Sequence, residues 1–276
     1  MFDITASIVT YCNDPAILNE AIESFLNTKL QVRLYIIDNS PTDKLRNEVV
    51  RDSRLLYHYN NQNVGFGKAH NYALQKSLED SKYCLILNPD VYFGSSVLDN
   101  LFTYMEANNE VGLVSPKVVY PDESIQLSCR LIPSPLDMFA RRIPLGEKIF
   151  RGRIRQHQYE DESFEHNLEV PFLLGCFLFS RTSVLKKVGG FDERFFMYME
   201  DLDLCRRIGA CSRLVFYANE RIYHRYERAS SKKIRIFYYH LRSMVQYFNK
   251  WGWLVDRERK KTNLAAKTHQ IKNKNA

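Results

Sequence analysis

Residues 4–40 of the chain read ITASIVTYCNDPAILNEAIESFLNTKLQVRLYIIDNS. The apolar runs at residues 4–10 and 32–38 are typical of buried strands. Between them, Asp14-Pro15 combines a capping side chain with a proline in the first turn, which predicts the start of a helix. A strand, a helix and a second strand in this order predict a βαβ unit with parallel strands.

The same alternation continues through the first half of the chain. Residues 55–59 and 83–87 are predicted to be further strands, and residues 65–78 and 97–105 further helices. Because repeated βαβ crossovers build a mostly parallel sheet with helices on its faces, the predicted fold class is α/β.

Polar side chains follow three of the predicted strands. Asp38 and Asn39 come directly after the second strand, Asn63 follows the third and Asp90 follows the fourth. Parallel sheets bind their ligands beyond the carboxyl ends of the strands. The sequence therefore predicts a binding site at this rim of the sheet.

The middle of the chain is less regular. Residues 112–120 and 124–132 predict two strands joined by a turn, and residues 170–180 predict another strand. Residues 133–166 contain three prolines and an arginine-rich run, so we expect a mobile loop or insertion there. Residues 189–209 predict a loop followed by a short helix.

The composition is that of an ordinary globular protein. Of 276 residues, 45% are hydrophobic and 26% are charged, which excludes wholesale disorder, a collagen-like fibre and a protein with many membrane spans. The six cysteines include no Cys-x-x-Cys pair, so we expect them to be reduced and buried, without a zinc site. Neither a spanning helix nor a signal peptide is evident, which predicts a cytoplasmic protein.

The charge is concentrated at the C-terminal end. Residues 221–276 hold 15 Lys and Arg against 3 Asp and Glu, a net charge of +12, whereas the whole chain carries +7. An anionic partner is expected at this end, and both nucleic acid and anionic lipid qualify. We therefore divide the chain into a domain, residues 1–231, and a basic helix and tail, residues 232–276.

The basic end is predicted to form an amphipathic helix from about residue 232 to about residue 251, with the last twenty residues disordered. Its apolar positions share one helical face. They are Phe237, Leu241, Met244, Phe248 and Trp251. With Lys250, Lys260 and Lys261 nearby, this face suits an anionic membrane surface. The alternative is that the same face docks on the preceding domain.

Two acidic stretches are candidates for chemistry. Residues 88–90, Asn-Pro-Asp, follow an apolar strand. A carboxylate in this position can bind a cation, and the cation can hold a diphosphate. The alternative is an ordinary turn, in which these residue types are common. Residues 200–203, Glu-Asp-Leu-Asp, precede a helix, where acidic residues are ordinary. Their aromatic and apolar neighbours nevertheless suit a carboxylate that takes a proton from a hydroxyl.

A glycine-rich turn and a histidine complete the candidates. Residues 63–67, NVGFG, and Asn71 would let a ligand approach the backbone at a helix start, but they do not fit the G-x-G-x-x-G dinucleotide fingerprint. His224, with Arg225 beside it, suits an anion-binding site as well as a structural role.

Taken in order, these segments resemble the inverting family 2 glycosyltransferases of GT-A fold, and among them the bacterial rhamnosyltransferase-like branch. The matching pieces are SIVTYCN, IIDNS, NNQNVGFGKAHN, LILNPDV, GCFLFSR and GGFDERFFMYMEDLDLCRR followed by YHR, within about residues 4–231. The resemblance implies a GT-A domain with a Rossmann-like, mostly parallel central sheet and flanking helices. The amphipathic C-terminal helix would follow it.

The resemblance also implies roles for single residues. The nucleotide would be lined by Thr10, Tyr11, Asp38, Asn39, Asn63, Gly65, Asn71 and Asn88. Asp90 and His224 would bind Mg²⁺ or Mn²⁺, and because Asn88 replaces the first acid of the family's DxD-like element, one direct carboxylate is expected. Asp201 would be the catalytic base, with Glu200 as its neighbour.

The reaction implied is displacement at the anomeric carbon of a nucleotide sugar, with inversion. Rhamnose from dTDP-rhamnose is the first choice of donor. A hexosyl, galactofuranosyl or N-acetylhexosaminyl unit, as on a UDP-sugar, is the alternative. A saccharide or a polyprenyl-diphosphate-linked saccharide is the expected acceptor, which would place the enzyme peripherally on the inner face of the cell membrane in surface polysaccharide synthesis.

Two functions of other classes remain open. A non-enzymatic membrane- or nucleic-acid-binding protein would explain the basic tail, but the sequence matches no nucleic-acid-binding module, so no nucleic acid is expected as a partner. A sugar nucleotidyltransferase would need a glycine-rich loop bearing Lys or Arg after the first strand, where this chain reads YCNDPAIL.

Overall fold

The computed structural model describes residues 1–140, 146–225 and 234–274, so the predicted domain boundary between residues 231 and 232 lies outside the described residues. Strands and helices alternate in the first part of the chain. These elements are β1 (Phe2–Thr10), α1 (Pro15–Leu26), β2 (Val32–Asp38), β3 (Leu55–Tyr59), α2 (Phe66–Asp80), β4 (Ser81–Leu87), β5 (Val91–Phe93) and α3 (Ser96–Ala107).

The rest of the chain contains shorter strands and more helices. These elements are β6 (Val111–Val119), β7 (Cys129–Arg130), α4 (Pro135–Ala140), α5 (Gly146–Ile149), α6 (Arg151–Gln158), β8 (Leu168–Glu169), β9 (Phe172–Leu173), β10 (Phe177–Arg181), α7 (Thr182–Val188), α8 (Glu200–Gly209), β11 (Arg213–His224), α9 (Ile234–Trp251) and α10 (Arg257–Lys274).

The central sheet is parallel in its first half and mixed in its second. Its strand order is β3-β2-β1-β4-β10-β6-β11-β5, and β8 pairs with β11. β1 lies between β2 and β4 and is parallel to both, with Thr10 opposite Asp38. β10 is antiparallel to β4 and β6, whereas β11 is parallel to β6. The predicted α/β class is confirmed, and the first four strands are parallel as expected.

Helices bury apolar side chains on both faces of the sheet. In β4, Tyr83 and Leu85 belong to the cluster that contains α1 and α3, whereas Cys84 and Ile86 belong to the cluster with α7, α8 and α9. Successive strand residues point to opposite faces, so a strand covered on both sides must be apolar throughout. This requirement explains the continuous apolar run at residues 83–87 of β4.

Helix α1 begins where its sequence predicts. The Asp14 side chain accepts the N–H of Ala16 at 2.8 Å, and Pro15 occupies the first turn. The cap satisfies a backbone donor that the helix leaves unpaired. The buried side is formed by Leu18, Ala21, Ile22, Phe25 and Leu26. α1 thus starts directly beyond the carboxyl end of β1.

The second half of the chain corrects two strand predictions and adds one strand that the sequence did not predict. Of its short strands, β7 and β9 pair with each other in a separate two-stranded sheet. Within the described residues, the predicted strand 124–132 contributes β7, a two-residue strand, and the predicted strand 170–180 is divided into β9 and β10. β11 has no counterpart among the predicted strands. Its register against β6 shifts between Tyr217 and Arg221. Such a bulge interrupts the period-two alternation from which strands are predicted.

Residues 133–166 were predicted to be a mobile loop or insertion, and the residues described there are partly helical. The segment forms α4, α5 and α6. Arg153 of α6 donates to the Asp137 carboxylate of α4 at 3.1 Å, and Tyr159 and Phe164 are 2% and 3% exposed. Prolines and arginines favour a loop, but these two buried aromatic rings fasten the segment to the core.

The prediction that the last twenty residues are disordered is wrong, because α10 extends to Lys274. Helix α9 docks on the domain through its C-terminal half, where Met244, Tyr247 and Phe248 are at most 1% exposed. The predicted apolar face is therefore divided. Its second half packs against the protein, and the first half remains at the surface.

Two further expectations concern membranes and cysteines. None of the helices in the described part of the chain combines the length and the apolar character needed to span a bilayer. All six cysteines lie in described residues and are free, and four of them are buried. Cys12 and Cys211 are exposed, which corrects the expectation that all six are buried.

A buried ion pair joins the chain just before α10 to α8. The Arg206 guanidinium lies 2.8 and 3.0 Å from the two carboxylate oxygens of Asp256, and these side chains are 3% and 4% exposed. Arg206 also donates to the Tyr247 hydroxyl at 2.9 Å and lies 4.0 Å from the centre of the Trp251 ring. Charge, hydrogen bonding and stacking therefore converge on one guanidinium.

Asp256→Asn is expected to lower the free energy of unfolding by about 3–5 kcal/mol, because it leaves a buried guanidinium without its charge partner. Equilibrium urea unfolding measures the change. The matched control is Asp80→Asn, which removes an exposed partner 3.9 Å from Arg33 and should change the free energy by less than about 1 kcal/mol. Equal losses in the two variants would contradict the special contribution of the buried pair.

Candidate active site

The turn after β1 forms the first wall of the rim. Thr10 is fully buried, and its hydroxyl donates to Asn13 at 2.9 Å. Tyr11 is 51% exposed. The N–H of Cys12 donates to Ser40 Oγ at 2.8 Å, which ties this turn to the turn after β2. Of the two residues predicted here to line a nucleotide, Tyr11 faces solvent and Thr10 supports the turn.

Asp38 lies below the exposed surface at the end of β2. It is fully buried, with one oxygen accepting the N–H of Ser40 at 2.8 Å and the other accepting the Tyr57 hydroxyl. Burial and the hydrogen bond to Asp38 raise the pKa of Tyr57, so this hydroxyl stays protonated and donates. Both oxygens of the carboxylate are thus bonded within the protein.

An asparagine cluster links the ends of β2 and β3 to the start of α2. Asn39 donates to the Gly65 carbonyl at 3.2 Å and accepts from Asn60 at 2.8 Å. Asn63 is exposed and accepts the N–H of Gly65 at 3.0 Å. Gly65 has a φ of +92°, and a Cβ there would lie 2.5 Å from the Phe196 carbonyl oxygen. Glycine is therefore required where this turn meets the loop before α8.

Asn71 of α2 fastens that loop. Its Nδ2 donates to the Phe191 carbonyl at 2.9 Å and to Glu193 at 3.1 Å, and its Oδ1 accepts the Phe191 N–H at 2.8 Å. The residue is 7% exposed. Its amide is therefore committed within the protein, and we leave Asn71 out of the nucleotide-binding set.

Asp90 and His224 meet at the rim, after β4 and at the end of β11. Asp90 Oδ1 lies 3.3 Å from His224 Nε2, and the Asp90 side chain is 25% exposed. His224 Nδ1 is hydrogen-bonded to Gln126 Oε1 at 2.6 Å. Burial lowers the pKa of His224, but the neighbouring Cys176 and Asp90 outweigh it and raise this pKa to about 10. Asn88 is held nearby through its N–H, which donates to the Cys176 carbonyl at 2.9 Å.

The two predicted metal ligands fit a hard divalent cation that a diphosphate would complete. Asp90 offers a partly exposed carboxylate, and His224 would offer Nε2 after losing the proton that Asp90 stabilises there. Mg²⁺ is commonly held by one or two carboxylates together with substrate phosphates. In the described ranges, no group of three or more His, Cys, Asp and Glu side chains is placed to hold a metal ion. The remaining ligands would have to come from substrate and water.

Asp201 lies in the first turn of α8, held by two backbone donors. Its Oδ2 accepts the N–H of Gly175 at 3.1 Å, and its Oδ1 accepts the N–H of Leu202 at 2.8 Å. Burial raises the pKa of Asp201, although the two N–H groups oppose the shift. A carboxylate that is fixed in direction and more basic than usual is suited to accepting a proton from a hydroxyl.

Glu200 has a drier environment than Asp201. It is 6% exposed and packs over Gly67, where a Cβ would lie 3.6 Å from the Glu200 Cβ. Among the described residues, its Oε2 finds no hydrogen-bond partner. Burial and the adjacent Asp201 charge raise the pKa of Glu200 well above its ordinary value. Burial therefore favours the protonated form at both carboxyls, and at Asp201 two backbone N–H groups oppose that effect.

The chain enters α8 through a strained turn. Tyr198 and Met199 have φ values of +68° and +69°, in the left-handed region that non-glycine residues rarely adopt. The turn is held from two sides. The Phe66 N–H donates to the Phe196 carbonyl at 2.9 Å. The Ser243 hydroxyl donates to the Met197 carbonyl at 2.8 Å. Contacts from α2 and α9 therefore maintain the backbone that positions Glu200 and Asp201.

Sequence analysis assigned no role to several residues of this site. Gly175 lies in the GCFLFSR segment, but its contact with Asp201 spans 26 positions of the chain. Gln126 reaches His224 across 98 positions and lies in a stretch without a recognisable motif. Such partners have no local sequence signal, because folding alone brings them together.

The chain is similar to proteins of one family. The sequence model described as Glycosyl transferase family 2 matches residues 7–189. The N-acetylglucosaminyl-diphospho-decaprenol L-rhamnosyltransferase of Mycobacterium tuberculosis is 30% identical over 224 residues, covering 76% of this chain and 71% of that protein. Rhamnosyltransferase WbbL of Escherichia coli is 29% identical over 193 residues, covering 66% of this chain and 69% of that protein.

The fold also matches a solved structure, that of GalNAc-T7 with UDP, GalNAc and Mn²⁺. The TM-score is 0.65 at 14% sequence identity, over 90% of this chain and 48% of that chain. At this identity the likeness concerns the fold alone. The chain spans about half the length of that structure.

Asn71→Ala is expected to destabilise the loop before α8, because the buried N–H and C=O of Phe191 lose their partner, at about 1–3 kcal/mol for each group. Hydrogen exchange at the Phe191 amide should accelerate, and urea unfolding should show the loss. Asn109→Ala, at an exposed asparagine in the turn after α3, is the matched control and should change neither measurement. Unchanged exchange at Phe191 in the Asn71 variant would contradict this anchoring role.

Proposed function

The chain belongs to glycosyl transferase family 2, in its rhamnosyltransferase-like branch, and we propose that it transfers rhamnose from dTDP-rhamnose to a lipid-linked saccharide with inversion at the anomeric carbon. The observation that carries the proposal is the Asp201 carboxylate, held by the N–H groups of Gly175 and Leu202 beside the buried Glu200. Enzymatic glycosyl transfer follows from family membership. The donor, the acceptor and the stereochemistry are proposed.

Asp201 takes the proton of the acceptor hydroxyl in the proposed reaction. The hydroxyl oxygen forms a bond to the anomeric carbon on the face opposite the nucleotide, and the bond from that carbon to the diphosphate oxygen breaks. A positioned base contributes about 10²- to 10⁴-fold in rate. The two backbone N–H groups keep Asp201 oriented. The raised pKa of Glu200 favours its protonated form, which would avoid a second negative charge beside Asp201.

The nucleotide diphosphate is proposed to lie at the rim, between the turn after β1 and the end of β4. Tyr11, Asn63 and Asn88 would face it, whereas Thr10, Asp38, Asn39 and Gly65 shape the turns from beneath. A divalent cation, Mg²⁺ or Mn²⁺, would be held by Asp90 and His224 and would offset the charge that grows on the leaving diphosphate.

The activities named for the two relatives support the choice of sugar and acceptor. One relative is named for transfer of L-rhamnose to N-acetylglucosaminyl-diphospho-decaprenol, and a second is named as a rhamnosyltransferase. We therefore propose a polyprenyl-diphosphate-linked saccharide as the acceptor, in surface polysaccharide synthesis. A hexosyl, galactofuranosyl or N-acetylhexosaminyl unit from a UDP-sugar is the alternative donor.

An exposed apolar stripe supports a further part of the proposal, peripheral contact with the inner face of the cell membrane. Phe237, Leu241 and Val245 recur every four residues on α9 and are 54%, 38% and 38% exposed. After α9, Leu254 and Val255 are 84% and 72% exposed. Exposed cations lie on α9, at Arg242, and on α10, at Arg257, Lys260 and Lys261. Apolar side chains beside cations suit a surface of anionic lipid headgroups.

The structure also changes which cations belong to this surface. Lys250 is only 21% exposed and forms ion pairs with Asp192 and Asp203. Lys250 was predicted to lie on the membrane face, but it instead docks α9 on the domain. Lys260 and Lys261 are exposed and can still contact lipid headgroups.

Asp201→Asn is expected to reduce turnover by about 10²-fold or more, because the amide keeps the shape but loses the basicity. The assay supplies dTDP-rhamnose and a short polyprenyl-diphosphate-linked N-acetylglucosamine and measures product by mass spectrometry, and NMR of the product gives the anomeric configuration. Asp80→Asn, the same exchange on the surface, should keep full turnover. Wild-type turnover in the Asp201 variant would remove the base assignment, and transfer from a UDP-sugar alone would replace the proposed donor.

Replacing Phe237 and Leu241 together by Glu is expected to weaken sedimentation with vesicles that contain phosphatidylglycerol, because the variant places two charges on the apolar stripe. Leu56→Glu, at an exposed leucine of the edge strand β3, is the matched control and should sediment like the wild type. Charge reversal at Lys260 and Lys261 should weaken sedimentation most at low salt. Equal sedimentation of all variants, with folding confirmed by circular dichroism, would remove the membrane proposal.

A further inference from the structure

Lys250, near the end of α9, bridges two carboxylates beneath the candidate active site. Its Nζ lies 2.6 Å from Asp203 Oδ1 and 2.8 Å from Asp192 Oδ2. The Asp203 side chain is fully buried, and that of Asp192 is 14% exposed. Helix α9 lies outside residues 7–189, the part of the chain that the family model matches. The bridge therefore connects a peripheral helix to the region that carries the proposed base.

At one end of the bridge, Asp203 fixes the first turn of α8. It lies two residues after Asp201, and its N–H donates to the Met199 carbonyl at 2.9 Å. Besides Lys250, its carboxylate accepts from Trp251 Nε1 and from Arg207 Nε, each at 2.8 Å. A fully buried carboxylate needs such partners, since an uncompensated buried charge is strongly destabilising. Movement of Asp203 would therefore carry the strained first turn of α8 with it.

At the other end, Asp192 belongs to the loop that leads into α8. Asn71 anchors this loop next to Asp192, through the N–H and C=O of Phe191. Through Asp192 and Asp203, Lys250 thus joins the start of this loop to the first turn of α8. The intervening residues 193–199 include the two left-handed residues at which the backbone is strained. A strained segment keeps its shape only when its surroundings hold it at both ends.

We propose that Lys250 is a positioning residue for Asp201 and acts through Asp203, a role that rests on the proposed function of Asp201 as the base. Lys250 touches neither the rim after β1 and β4 nor Asp201 itself in any contact described above. Its loss should therefore affect the proton-transfer geometry and leave donor binding in place. A displacement of a reacting group by about 1 Å can reduce a rate by about 10²-fold.

The test compares turnover with donor affinity in variants of the full chain. Lys250→Met is expected to lower kcat by about 10- to 100-fold while the KM for dTDP-rhamnose stays within about twofold. Lys250→Arg retains the charge and should recover most of the turnover. Lys76→Met, at an exposed lysine of α2, is the matched control and should behave like the wild type. Lys250→Gln, which keeps two N–H donors, replaces the methionine variant if the latter does not fold.

A double-mutant cycle separates positioning from general destabilisation. If Lys250 acts through Asp203, then adding Lys250→Met to Asp203→Asn should cause no further loss of kcat. Adding it to Asp192→Asn should still cause one. Losses that multiply in the Asp203 background, a raised donor KM, or unchanged kcat in Lys250→Met would each overturn the proposal. Asp201→Asn, measured alongside, tests the base by itself: wild-type turnover there would refute the proposed function, whatever the Lys250 variants do.

Discussion

The parallel register that holds β1 between β2 and β4 is the constraint on which the site depends. Ile4 to Thr10 pair in step with Val32 to Asp38, and the three strands are covered on both faces. A slip of one residue would turn every side chain to the opposite face, so burial fixes the register. The same register sets the ends of β1, β2 and β3 level, with Thr10 opposite Asp38 and Asp38 opposite Tyr59. The turns that carry Tyr11 and Asn39 therefore begin side by side.

Helix α8 gives three carboxyl groups within four residues three different environments. Glu200 is enclosed against α2, where burial raises its pKa, whereas Asp201 receives two backbone N–H groups that stabilise a charge. Asp203 is turned to another side of the helix, where it is neutralised by Arg207 and Lys250. The difference between a proton acceptor, its buried neighbour and a structural anchor is thus one of environment and not of residue type.

The C-terminal helices are part of the domain's architecture. They contribute Met244, Tyr247 and Phe248 to the core, and the Asp256 carboxylate just before α10 neutralises the buried Arg206 of α8. The family model ends at residue 189, before any of these contacts. One side of α9 consequently supports the turn that carries the proposed base, while its exposed stripe remains at the surface. The same helix thus connects the proposed membrane contact with the proposed site of chemistry.

The sequence by itself determined the parallel core, because a strand buried on both faces must be largely apolar, and β2 therefore lies where its apolar run predicts it. It also predicted roles for Asp90, His224, Glu200 and Asp201 through the order of their motifs, and the structure places Asp90 beside His224 and Asp201 beside Glu200. Only the tertiary structure decided the bulged strand β11, the helices within 133–166 and helix α10, whose local patterns resemble loops or disorder. It also decided the contacts of Asn71 and Lys250, which meet partners 120 and 58 positions away. The local periodicity of apolar residues indicates which positions are buried. It does not indicate which distant residue will pair with a buried amide or charge.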